Sequence, residues 1–126
     1  MPRTIRLAVT VQAVVLTYGG VVHVVQVVSG GWPPYAWAPP WLAVYFTALT
    51  VFDFVAASLL LARRSVGLRL AVVIFLSDAA ANWYATYRVL DPTAAAQVAQ
   101  AVISVLALAS LIIARCARPW MSRPLR

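Results

Sequence analysis

The chain has 126 residues, of which 63% are hydrophobic and only 10% charged, and it carries a net charge of +7. A soluble domain of this size has too little interior to hide so much apolar surface. The excess positive charge does not point to nucleic acid either, because it is sorted along the chain: nine of the ten arginines flank apolar runs on what would be one side of a membrane.

The apolar residues form four runs, at about 7–28, 41–62, 69–87 and 94–114. Each is close to the roughly 20 residues that cross a hydrocarbon core of about 30 Å. Runs of this length without strict alternation read as helices rather than barrel strands. The expected fold is an all-α membrane protein: a four-transmembrane-helix antiparallel bundle, up-down-up-down, in a single integral domain over 1–126.

The first run follows Arg3 and Arg6. Its roughly 22 residues exceed a signal-peptide core of about 7–15, so it reads as a span. Gln12, Leu16, Gly19, His23 and Gln26 follow steps of four and three along it, which is one face of a helix. The loop SGGWPPYAWAPP is uncharged and rich in Pro, Gly and aromatics. Trp32, Tyr35, Trp37 and Trp41 suit an interfacial belt, with an aromatic lid over a binding site as the alternative. The second span should begin around Pro40–Trp41, since Pro suits a first helical position. Ala43, Thr47, Thr50, Asp53 and Ala57 share its polar stripe.

The turn ARRSVGLR carries Arg63, Arg64 and Arg69 into the third span, where Ala71, Phe75, Asp78, Asn82 and Ala85 align. Asp91 and Pro92 read as N-cap and first residue of the fourth helix. On that helix Thr93, Gln97, Gln100, Ser104 and Ala107 form the polar face. The tail 115–126, RCARPWMSRPLR, is basic and is expected to rest on anionic headgroups. Arg88 alone stands opposite the other arginines. The positive-inside rule then places both termini in the cytoplasm of a multi-pass plasma or inner-membrane protein. The lack of lysine and glutamate resembles the bias of a GC-rich bacterial genome. Cys116 is the only cysteine and permits no internal disulfide.

Function gathers at the acids. The chain has three, and two of them, Asp53 and Asp78, sit inside spans. A charged side chain at the centre of a membrane helix costs about 2.5–3.5 kcal/mol, so such residues usually face a bundle interior or a wet cavity. At 1.5 Å per residue, Asp53 lies about 18 Å from Trp41 and Asp78 about 13 Å from Arg69, both near the midplane. A shared proton, a cation or a ligand amine would relieve the repulsion between them.

The other strong polar groups lie toward the outer side. A cavity floored by Asp53 and Asp78 and lined by Asn82, His23, Gln26, Gln97, Gln100 and Trp83 is the candidate ligand site. If the protein is an enzyme, Asp53 and Asp78 are its acid and base, and His23 or Asn82 polarises the substrate. No metal-ligand spacing, haem motif, phosphate loop or dinucleotide motif is present, so no cofactor is implied.

In size the chain resembles the small multidrug exporters, a likeness that implies a membrane acid in the first helix, where this sequence has none. It also resembles the sterol-isomerase and sigma-2-receptor group in having a polar bundle with intramembrane carboxylates. Neither likeness transfers a site. Three functions remain. The first is a core that binds a hydrophobic or amine small molecule or relays protons. The second is a structural or assembly subunit, within a larger membrane complex or a homo-oligomer. The third is an isomerase- or cyclase-like enzyme acting on a lipid-like substrate. A core cavity of several hundred Å³ favours ligand or substrate; a tightly packed core favours the subunit.

Overall fold

The computed structural model describes residues 1–122 and contains four long helices: α1 (Arg3–Ser29), α2 (Pro40–Leu61), α3 (Ser65–Tyr84) and α4 (Ala94–Ala117). All four are long and apolar enough to cross a membrane. The protein is a small polytopic membrane protein with a four-helix bundle. Consecutive helices pack side by side, and α1 and α4 touch least among neighbours, leaving a seam.

The helices outrun their apolar cores. Arg3, Arg6 and Arg115 are helical although the hydropathy pattern stops short of them, because arginine is a good helix former and carries its charge to the interface on a long stem. Pro40 starts α2 as its first residue. The start of α4 differs from expectation. Thr93, not Asp91, is the N-cap, and its Oγ1 accepts from the Ala96 N–H at 3.1 Å. The cause lies upstream, where α3 runs into a π-helical turn, Ala85–Val89, closed by the Leu90 N–H on the Ala85 carbonyl. Residues 90–93 are then needed to reverse the chain.

Buried Leu16, Leu42, Phe46, Leu49, Ala56, Leu60 and Ala71 form the core. Val14, Val21, Val44, Val51, Val73, Val105 and Ile112 are exposed on the outside, as lipid-facing residues should be. The Gly19–Gly20 pair draws α1 against α2. A Cβ on Gly20 would lie 2.9 Å from the Phe54 ring, and one on Gly19 would lie 2.9 Å from Asp53 Oδ2. Tyr45 ties α2 to α3 by a 2.6 Å hydrogen bond to Ser77 Oγ, whose own proton goes to the Val73 carbonyl.

The segment after α4 folds back onto the bundle. After a short turn at Arg118–Trp120, Ser122 pairs with the α2–α3 connection: its N–H donates to the Arg63 carbonyl at 2.8 Å, and its carbonyl accepts from Ser65 N–H at 3.0 Å. Met121 is buried beneath this clasp. Arg123 and Arg126 lie outside the described residues.

Candidate functional site

A cavity of about 560 Å³ occupies the aromatic-rich half of the bundle and reaches its middle. Leu16, Gly19, His23 and Gln26 supply the α1 wall, so that helical stripe does turn inward. Phe46 and Asp53 come from α2, Phe75, Asp78 and Asn82 from α3, and Gln100 and Ile103 from α4. The π turn adds Ala85 and Thr86. An extra residue within one turn rotates the chain that follows it, and such turns recur at functional sites.

The two acids occupy different settings. Asp53 is only 4% exposed and is pressed against Gly19, and its Oδ1 has no hydrogen-bond partner. Asp78 is half-buried, and the Asn82 amide one turn away grips it, donating to Oδ1 at 2.7 Å and to the main-chain carbonyl at 3.0 Å. Both acids line one cavity, with no hydrogen bond between them among the described residues. Asp53 belongs to the packed wall. Asp78 is the more exposed of the two carboxyls that line the cavity.

The donors around Asp78 are spent within the protein. Both protons of the Asn82 amide face Asp78. Gln100 Nε2 donates to the Ala79 carbonyl at 2.9 Å and faces Ser104 Oγ at 3.4 Å, which leaves Oε1 without a partner. The Tyr35 hydroxyl donates to Gln26 Oε1 at 2.9 Å. With that proton committed, Tyr35 Oη accepts from His23 Nδ1 at 2.9 Å, and a neutral imidazole keeps Nε2 as an acceptor.

Tyr35 makes the mouth. It is buried although it sits in the α1–α2 loop, and it adopts a left-handed backbone with φ 55. A bulky residue rarely holds that conformation, and here two hydrogen bonds and a layer of rings secure it. Its ring centroid lies 5.4 Å from Phe46, which also stacks on His23 at 5.9 Å. Trp37 completes the layer at 6.3 Å from Tyr35. Burial, and after it the charge of Asp78, push the Tyr35 hydroxyl up to about 12, so the latch stays protonated at neutral pH. The aromatic loop is thus divided: Tyr35 and Trp37 cap the cavity, whereas Trp32 is 91% exposed.

Two expected ligand residues lie elsewhere. Trp83 points outward, its ring packed on Tyr87 and beneath the Arg88 guanidinium at 6.0 Å. Gln97 is exposed and lines no part of the cavity. The 4-3-4-3 spacing placed Gln97 on the polar face, but it lies in the first turn of α4, above the packed part of the bundle. Sequence reasoning passed over Phe46 and Thr86. A run of aromatics gives no signal for Phe46, and helical spacing cannot foresee the π turn that brings in Thr86. Among the described residues, no three His, Cys, Asp or Glu side chains gather in a metal-binding group.

No protein-family model, curated protein or solved structure matches this chain.

Proposed function

We propose that this membrane protein binds a hydrophobic small molecule bearing a protonated amine, with Asp78 as the counter-ion. One observation carries the reading. The cavity is large enough for a ligand, its walls are mostly apolar, and the donors of Asn82, Gln100, Tyr35 and His23 are turned onto the protein itself. What remains charged for a guest at mid-bundle is carboxyl, Asp78 with Asp53 beside it in the wall; the donors left on the lining, the Gln26 amide and the Thr86 hydroxyl, are neutral. A guest that brings a positive charge matches such a wall. Among the described residues, the basic side chains lie near the helix ends and in the loops, so none of these stands ready to neutralise a carboxyl at mid-bundle. The subunit reading calls for a tightly packed core, and a cavity of about 560 Å³ weighs against it.

The test compares hydrophobic amines with alcohols of the same shape, by thermal shift and calorimetry on the protein in nanodiscs. Charge-assisted hydrogen bonds to a carboxylate contribute about 1.5–3 kcal/mol, so amines should bind about 10- to 100-fold more tightly. Asp78→Asn should remove that preference while leaving the fold intact, because Asn keeps the shape and can still bond Asn82. Equal binding of amine and alcohol, or a preference that survives in Asp78→Asn, contradicts the proposal.

A further inference from the structure

A second cavity of about 390 Å³ lies below the first, toward the arginine-rich end. Leu7, Ala8 and Val11 of α1 line one side, and Leu106, Ala109 and Ile113 of α4 the other. Val15, Phe75 and Leu106 border both cavities, so the two adjoin along the α1–α4 seam. The upper cavity carries the polar groups on its mostly apolar wall. The lower one is apolar apart from Thr4 at its end and Gln12. From Val15 to Thr4 the helix rises about 16 Å, close to half of a hydrocarbon core of about 30 Å. That is the depth one acyl chain occupies in its leaflet.

We infer that the lower cavity holds the chain of the same ligand, which is therefore a single-chain cationic amphiphile with its head at Asp78 and its tail between α1 and α4. The inference rests on the binding site proposed above and adds the class of ligand. Ala8 and Ala109 are small where facing larger residues would close the seam. In lipid, moving a chain from bilayer to slot gains little hydrophobic energy, because lipid tails are as apolar as the slot. The slot therefore sets which amines are accepted, while Asp78 supplies the attraction.

Two measurements test this. The first uses a long-chain alkylamine with a photoreactive diazirine near its methyl end, in phosphatidylcholine nanodiscs. Crosslinks that unlabelled amine competes away should fall on Leu7, Val11, Ala109 and Ile113. The second compares long and short alkylamines on Ala109→Phe, which fills the slot from α4, and on Ala8→Phe, which fills it from α1 should the first variant fail to fold. Overfilling should weaken the long amine about tenfold and leave the short amine unchanged. Competed labelling confined to Tyr35 and Trp37, or to lipid-facing Val14 and Val105, overturns the inference and leaves amine binding intact. Equal competition by a two-chain aminophospholipid overturns the single-chain assignment. If neither long nor short amine binds the wild-type protein, the Asp78 site falls too, and the two failures are told apart.

Discussion

Gly19→Ala probes the packing behind the site most sharply, because two opposing effects act at one atom. Replacing a mid-helix glycine by alanine ordinarily stabilises a helix by about 1 kcal/mol. Here the new Cβ would meet Asp53 Oδ2 at 2.9 Å, so the carboxyl must retreat by about half an ångström to reach ordinary contact. Asp53 is 4% exposed and its Oδ1 is already enclosed, which leaves it little room. Overpacking of this kind costs about 1–3 kcal/mol. The clash should win, for a net loss of about 1 kcal/mol. In an Asp53→Ala background the obstacle is gone, and the same change should gain about 1 kcal/mol. The coupling between the two positions is then about 2 kcal/mol, within the range for residues in contact. Unfolding free energies of the four proteins of the cycle, measured by steric trapping in micelles, give that number directly. Gly19→Ala stabilising both backgrounds alike, with coupling below about 0.5 kcal/mol, would refute the contact and the account of why α1 carries glycine there.

Three further outcomes are expected. A cysteine at Ala36, which is exposed in the aromatic loop, should react with an impermeant thiol reagent on intact cells, whereas labelling of exposed Cys116 in its place would reverse the orientation. Cysteines down α3 should react from the aromatic end at position 82 first and at position 78 more slowly, and fail at fully buried Ala71; no reaction at 82 or 78 from either side would mean a dry core. The Tyr35 hydroxyl titrates above its unfolded value, so the stability its neutral form provides is complete below about pH 10 and lost as pH rises toward about 12. The difference in ultraviolet tyrosinate titration between wild type and Tyr35→Phe should show this late step, and a step near the ordinary tyrosine value would contradict the buried latch.

The sequence foretold the bundle because lipid leaves few options: four long apolar runs with arginines at their flanks must be helices, and polar stripes at 4-3-4-3 spacing must turn inward. That logic found Gln12, His23, Asp53, Asp78, Asn82 and Gln100. It failed where side-chain contacts rather than periodicity decide. Trp83 and Gln97 lie near helix ends, where aromatic stacking and exposure replace core packing. Tyr35 folds inward through hydrogen bonds to His23 and Gln26 that no periodic pattern encodes. The unequal settings of the two acids were also hidden, since Gly19 presses on Asp53 from another helix. The docking of Ser122 on Arg63 depends on backbone pairing across 59 positions, to which hydropathy is blind.

The central claim is a cationic guest held at Asp78, and native mass spectrometry tests it most directly. Protein released gently from the membrane in which it is expressed should carry a bound small molecule whose fragments contain an amine and one long chain. The same preparation of Asp78→Asn should be largely empty at equal fold stability. A wild-type protein that emerges without any such mass, or an Asp78→Asn variant that retains it in full, would contradict the account.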